Sequence, residues 1–430
     1  MPVHTVLFTF SRLKICYTTP CVTIAIVRPF AAIRPRPEVA GQICELPYDV
    51  VSTDEARERA EGKEHSFYRI SRAEINFPNG VNPYSNEVYA KARDLFQEWV
   101  AEGWLRKDAE PCYYLYRQIL GSHTQTGLVA TVSAQEYLDG TIKKHEFTRP
   151  DKEKDRINHI EALNAQTGPV FLTYHASRTL NTLFAAKTRE TPVVDFTGID
   201  GVRHEAWVIS DKSILKSIEK EFGQMPCLYI ADGHHRSAAA ARIYQSRGGK
   251  NGSQYFLAVL FPHDQMQILP YNRALKDLNG LSESEFLKKL EAVFTIQEKP
   301  FDKPRRNKEV ALFLGKRWYG LNFKTGLSNG NSLRDQLGVQ ILQDKVLAPI
   351  LGIKDPRTSE RISFIGGIRG TVELEQMVCS GEYACAFSMF PTQIEEVMDI
   401  ADQNEVMPPK STWFEPKLRD GMFIYRYDKN

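Results

Sequence analysis

The chain has 430 residues, 42% of them hydrophobic and 25% charged, which is the balance of an ordinary globular protein with enough apolar material for one large core or two. Its 55 basic and 53 acidic side chains leave a net charge of +2, so the basic excess that marks a binder of nucleic-acid backbone is missing. Disorder, collagen and coiled coil are excluded by the same figures, and a small molecule is the expected partner, with neither nucleic acid nor membrane implied.

In chain order, residues 1–22 carry an apolar run interrupted by Arg12 and Lys14, with no small-x-small cleavage site behind it, so an unstructured or misassigned start is expected rather than a secretory leader. No stretch reaches the roughly 18 uninterrupted apolar residues of a membrane helix. Seven scattered cysteines without a C-x-x-C pair argue against a disulfide framework or zinc knuckle and for a reducing cytoplasm. Val22 to Val27 reads as a strand stopped by Pro29, and Arg34-Pro35-Arg36-Pro37 as an extended linker. Thr53 opens a short polar helix with acidic residues in its first turn. Val88, Ala92, Leu95, Phe96 and Trp99 recur at helical spacing between Asn86 and Glu102, and Gly103 closes that helix.

Tyr113 to Gln118 and Gly127 to Val132, separated by Gly121-Ser122-His123, predict an antiparallel pair. Asp195 to Asp200 reads as a polar turn, His204 to Ile209 as a strand and Lys212 to Phe222 as a helix. The strand Cys227 to Ala231 leads through a turn into an alanine-rich helix that ends at Arg247 before Gly248-Gly249. Further on, Phe256 to Phe261 and Met266 to Leu269 suggest a hairpin, Ser282 to Phe294 a capped amphipathic helix, and Val310 to Leu314 with Trp318 to Phe323 a second hairpin. Leu333 to Leu351 and Thr392 to Glu405 complete the helices. Strands, helices and hairpins alternate in a way that predicts a mixed α+β fold. The expected divisions are a non-matching extension at 1–22, a core at 23–276, a smaller α/β region at 277–400, and a C-terminal segment at 401–430 that closes on the site.

The strongest chemical signal is Tyr229-Ile230-Ala231-Asp232-Gly233-His234-His235-Arg236-Ser237, followed by four alanines. An apolar strand delivers a carboxylate to its end, Gly233 permits a tight turn, and polar side chains crowd the first turn of a helix. A helix N-terminus offers unpaired N–H groups and positive dipole, so cations there oppose helix stability but suit a phosphate. The bland alternative is that Asp232 caps the helix and the histidines are merely exposed. Adjacent histidines on a helix point about 100° apart, so a zinc site at His234 and His235 is disfavoured. Asp232 holding Mg²⁺ together with nucleotide phosphates fits better.

A second signal, Lys143-Lys144-His145-Glu146-Phe147-Thr148-Arg149-Pro150, follows a strand-like segment, and His145, Glu146 and Arg149 together can supply a base and an anion clamp. Asp151 to Asp155 reads as a solvated charged loop. The third signal contains Lys410-Ser411-Thr412 but lacks the glycines of a P-loop. Docking of the terminus through Trp413 and Phe414 competes there with a phosphate or carboxylate contact. Gly366-Gly367-Ile368-Arg369-Gly370 reads as a turn rather than an anion nest. Asp49, after Pro47-Tyr48, is either a helix or turn cap or a base. No G-x-S-x-G is present, which leaves a serine nucleophile without support.

With LPYDVVS, the run from Lys143 to Pro169, YIADGHHR, LFPHDQMQILPYNR, LAPILGIKDPRT, GGIRG and MPPKSTWFEPKLRDG in one order, the chain resembles the domain of unknown function 1015 family from about Thr23 onward. At greater distance the Asp232–Arg236 box and its alanine-rich helix resemble the phosphate-binding box of the ParB/sulfiredoxin-like superfamily, especially its free serine kinases. That resemblance implies a ParB/sulfiredoxin-like mixed-sheet core with a large insertion. It also implies a nucleotide, ATP, ADP or CTP, with Mg²⁺, and phosphorylation of a serine-like hydroxyl. On this reading Gly233, His234, Arg236 and Ser237 hold phosphates and His235 offsets charge with Arg236. Asp232 holds Mg²⁺ or orients a histidine, and Asp49 or Glu146 handles the hydroxyl proton. His145, Arg149, Lys410, Ser411 and Thr412 meet the substrate. A metal-assisted phosphatase and a non-catalytic nucleotide sensor are the alternatives, and a homodimer stays open.

Overall fold

The computed structural model describes residues 25–428 except 298, 328, 329 and 331. The extension at 1–22 and the first residues of the strand expected from Val22 lie outside the described residues.

A nine-stranded mixed sheet forms the larger body. Eight of its strands run in the spatial order Ile142–Lys143, Leu228–Asp232, Val170–Tyr174, Tyr255–Pro262, His123–Ser133, Tyr113–Leu120, Arg203–Ile209 and Val194–Thr197, and Val27–Arg28 pairs with His123–Ser133. Leu228–Asp232 is parallel to Ile142–Lys143 and antiparallel to Val170–Tyr174, which is parallel in turn to Tyr255–Pro262. The central strands are apolar on both sides because both faces are covered. Phe256, Ala258 and Leu260 enter one core, with Ala238, Ala240, Ala241, Leu180 and Phe222 from helices on that face. The intervening Leu257, Val259 and Phe261 enter another, against Phe414, Leu418, Met422 and Phe423 of the C-terminal segment. The strand that ends in Asp232 is thus sandwiched between its own following helix and the end of the chain.

A separate six-stranded sheet contains Tyr271–Leu275, Phe294–Ile296, Glu309–Leu314, Arg317–Phe323, Ile362–Gly366 and Cys385–Met389. Every pairing in it is antiparallel, so the region expected to be α/β is α+β.

Several local expectations hold. The helices Lys212–Phe222 and His234–Arg247 and the hairpin Tyr113–Leu120/His123–Ser133 are present. Ser282 caps its helix in a capping box. Others give way to tertiary pairing. Ile33–Pro35, in the expected linker, pairs antiparallel with Leu105–Lys107, an edge position that tolerates Pro35. Val194–Thr197 is the outermost strand of the large sheet rather than a turn. Ile268–Leu269 pairs with Trp413–Phe414 and makes no hairpin with Tyr255–Pro262. Asp151 to Asp155 belongs to the Pro150–Leu163 helix, which Pro150 opens at its first position. The helix expected over Leu333–Leu351 is broken into a 3₁₀ turn, a short α-helix and a π-helical turn at Gln343–Leu347. Cys44, Cys112, Cys227, Cys379 and Cys385 are free. Among the described residues no helix is long and apolar enough to cross a membrane.

Candidate active site

Leu228 to Ala231 are buried, and the strand ends on Asp232. The chain then turns through Gly233 at φ 94° and ψ 30° into the His234–Arg247 helix. An L-residue in that conformation is strained, and a Cβ on Gly233 would stand 3.1 Å from the Nε of Arg236. Buried alanines at 238–241 allow the helix to lie close against the sheet.

Both carboxylate oxygens of Asp232 have donors. Oδ1 accepts from the Gly233 amide at 2.8 Å and Oδ2 from Lys417 Nζ at 3.0 Å. Burial pushes the Asp232 carboxyl upward, but Lys417 and Arg236 outweigh it and hold the group well below the usual carboxylate range. Burial likewise works against the Lys417 ammonium, yet Asp232 and Glu415 raise its pKa above the ordinary lysine value. Lys417 also lies 4.8 Å from the ring centre of Trp413, and its amide donates to Glu415 Oε2 at 3.1 Å.

This pair lies in the wall of a cleft of about 220 Å³, where Asp49, His145, Glu146, Tyr271, Lys410 and Thr412 also face in. Asp49 is delivered by the Pro47-Tyr48 turn, whose Tyr48 amide donates to Asp420 Oδ2 at 3.2 Å. Arg156 stacks 3.6 Å over the Tyr48 ring. The walls desolvate Glu146 and raise its pKa above the usual carboxylate value, Asp232 and Asp49 adding to the effect while Lys410 and Lys417 oppose it. Its side chain nonetheless remains 47% exposed.

The histidines form a neutral scaffold. His234 Nε2 accepts from the His145 amide at 3.4 Å, which leaves the Nδ1 side, 3.8 Å from Glu146 Oε2, to carry the proton. The two rings meet edge to face at 4.5 Å between centroids. Burial lowers the pKa of His234 well below its ordinary value and that of His145 to about 4. His235, also lowered chiefly by burial, accepts from the Arg149 amide at 3.1 Å. Its ring therefore anchors a loop, and the positive charge near the turn comes from Arg236, Lys410 and Lys417 rather than from imidazolium.

The remaining candidates divide. Asp49, His145, Glu146, Asp232, Lys410, Ser411 and Thr412 come together at the cleft. Ser411 does so with its hydroxyl committed to Pro408 O at 2.6 Å. Ser237 is buried and donates back to Gly233 O at 3.0 Å, so its hydroxyl serves the helix. Arg236 is buried, donates to Pro169 O and lines a separate small void with Tyr48, Arg156 and Asp420. The Arg149 side chain is exposed and paired with Asp151 at 2.9 Å. Gly366 packs beneath Trp413, and Gly367–Arg369 is a 3₁₀ turn, as a plain turn requires. Lys417 is the residue the sequence reading passed over. Its only local signal is a lysine set among Phe414, Pro416 and Leu418, all buried.

A nine-stranded mixed sheet, a separate six-stranded antiparallel sheet and a polar cleft at the end of a strand, lined in part by the C-terminal segment, define an α+β protein. The chain belongs to the family described as "Protein of unknown function (DUF1015)", whose profile matches residues 27–343. No curated protein matches it. Among solved structures it is similar at distance to a free serine kinase in complex with AMP, at 16% identity and a TM-score of 0.35, covering 66% of this chain and 86% of that one. A conserved hypothetical protein from Pyrococcus furiosus gives 15% identity and a TM-score of 0.36 over 69% and 95% of the two chains. C-terminally truncated SbnI from Staphylococcus aureus gives 13% and 0.37 over 68% and 85%.

Proposed function

We propose that the protein is a small-molecule kinase with a ParB/sulfiredoxin-like core, which transfers a phosphoryl group from a nucleotide, ATP, ADP or CTP, to a serine-like hydroxyl. The observation that carries this reading is the Asp232–Lys417 pair at 3.0 Å, set in one cleft with Asp49, Glu146 and Lys410. Two ammonium groups in a confined site suit the charge of a transferring phosphoryl group. Two further carboxylates, Asp49 and Glu146, suit the proton of the attacking hydroxyl. In the transfer the hydroxyl oxygen bonds to the terminal phosphorus, the bond from that phosphorus to the nucleotide's bridging oxygen breaks, and the hydroxyl proton passes to a carboxylate. Lys410 and Lys417 steady the negative charge, Asp232 holds Lys417 in place, and the neutral His145–His234 pair fixes the backbone that carries Glu146.

Among the described residues there is no ready cluster of three metal-ligating side chains, and Asp232 already has a donor on each oxygen. A metal would therefore be held chiefly by the nucleotide phosphates, with one of Asp49 and Glu146 as its protein ligand and the other left for the hydroxyl proton, and it would neutralise phosphate charge.

The test is phosphorus NMR of the purified protein with Mg²⁺ and each nucleotide, with and without serine or threonine. A phosphomonoester signal that requires both nucleotide and amino acid, and disappears in Lys417→Met, is the expected result. Phosphate release from phosphoserine without nucleotide would replace the kinase reading with the phosphatase, and line broadening without turnover would replace it with a sensor.

A further inference from the structure

A cavity of about 460 Å³ lies beside the cleft and shares Met407 and Pro408 with it. Four cationic side chains line it, Arg273, Arg334, Lys354 and Arg357, against Asp344 and Asp355. Arg357 is satisfied by Asp355 at 2.8 Å. Arg273 is different. It is 3% exposed, its guanidinium donates to the carbonyls of Tyr271 and Lys410, and its cation lies 5.5 Å from the ring centre of Phe364. Burial lowers its pKa to about 10, with Tyr271 opposing and no carboxylate among the described residues contributing. The buried Nε of Arg334 has no hydrogen-bond partner among the described residues.

A buried charge without a counter-ion is costly, and leaving it so is justified when the counter-ion is a ligand. Besides Gln340 and Gln343, the rest of the lining is largely apolar, with Phe147, Phe364, Leu347 and Met407 among it, and Phe147 is 73% exposed. One wall is the π-helical turn Gln343–Leu347, a distortion often kept at functional positions.

We propose that this cavity binds a small organic anion, its carboxylate or phosphate received by Arg273 and Arg334 and its apolar body by Phe147, Phe364 and Met407. The site is distinct from the cleft but joined to it at two points. Phe147 follows Glu146 in the chain, and Arg273 donates to the Lys410 carbonyl at 3.1 Å. A ligand here therefore touches the supports of two cleft residues.

The test uses the full-length protein without nucleotide and fluorine NMR of 4-fluorobenzoate, 4-fluorophenyl phosphate and the neutral 4-fluorobenzamide. At least one anionic probe binds about tenfold more tightly than the amide, which also settles carboxylate against phosphate. Arg334→Gln and Phe147→Ala each weaken that binding about fivefold or more, while Asp49→Asn leaves it unchanged. Arg273 itself is too deeply buried for its substitution to be informative. Equal binding of neutral and anionic probes, no binding by any probe, indifference to both cavity variants, or loss in Asp49→Asn would each overturn the proposal. Because no nucleotide is present, failure here leaves the kinase reading to its own experiment.

Discussion

Lys417 and Asp232 are 185 residues apart in sequence and 3.0 Å apart in space. Their pairing ties the C-terminal segment to the turn that begins the His234–Arg247 helix. Lys417 is 10% exposed and Asp232 31%, so removal of one partner leaves the other poorly solvated. Lys417→Met is expected to cost about 3 kcal/mol in chemical denaturation. A Lys417→Met/Asp232→Asn double variant should recover part of that loss, since neither charge is then stranded. Simple additivity of the two single variants would show that the pair has no coupling.

Gly233→Ala tests the turn itself. The left-handed conformation at φ 94° costs an alanine about 1–2 kcal/mol, and the new Cβ falls 3.2 Å from the Arg236 guanidinium carbon. Arg236 must then shift its hold on Pro169. Loss of more than about 1 kcal/mol in denaturation and displaced Pro169 backbone resonances are the expected results, and a neutral substitution would contradict them.

The residues that sequence reasoning reached are those whose signal is local. Ser282 caps the Glu283–Leu290 helix in a capping box, and Gly248 closes the His234–Arg247 helix in a left-handed conformation. Each boundary is written within a few residues. The misread segments owe their structure to distant partners. Ile268–Leu269 becomes a strand only because Trp413–Phe414 lies beside it, and Ile33–Pro35 only because of Leu105–Lys107. The same holds in the site. Asp232, Gly233, Glu146 and Lys410 stand in distinctive motifs, whereas the importance of Lys417 depends on a carboxylate far away in sequence. Arg236 and Ser237 were legible as part of the Asp232–Ser237 box, but not the direction in which their side chains turn.

Asp420 gives a pH signature of stability. It is 2% exposed, with an Oδ1 that lacks a hydrogen-bond partner among the described residues. Burial raises its pKa to about 7, with Asp49 adding to this and Arg236 and Arg156 opposing. Between the ordinary aspartate value of about 3.9 and about 7, the folded protein keeps a proton that the unfolded chain releases. The contribution of Asp420 to stability therefore falls as pH rises through that window, by about 1.4 kcal/mol for each unit. Asp420→Asn should be more favourable relative to wild type at pH 8 than at pH 5 in urea denaturation. An identical difference at both pH values would exclude a titrating Asp420.

Glu146 and Asp49 both face the cleft, and the pH dependence of turnover separates them. Desolvation raises the pKa of Glu146 above 4.5. If its carboxylate takes the hydroxyl proton, kcat/KM falls as pH drops through that raised value, because only the ionised form accepts a proton. Glu146→Gln should then lose about 10²–10⁴-fold in kcat with little change in stability, since the side chain is 47% exposed. Asp49→Asn should keep the acidic limb of the profile and act mainly on KM for the nucleotide. The reverse pattern, with the limb lost in Asp49→Asn and retained in Glu146→Gln, would assign the base to Asp49. It would leave Glu146, beside His234 Nδ1 at 3.8 Å, as the group that positions the loop.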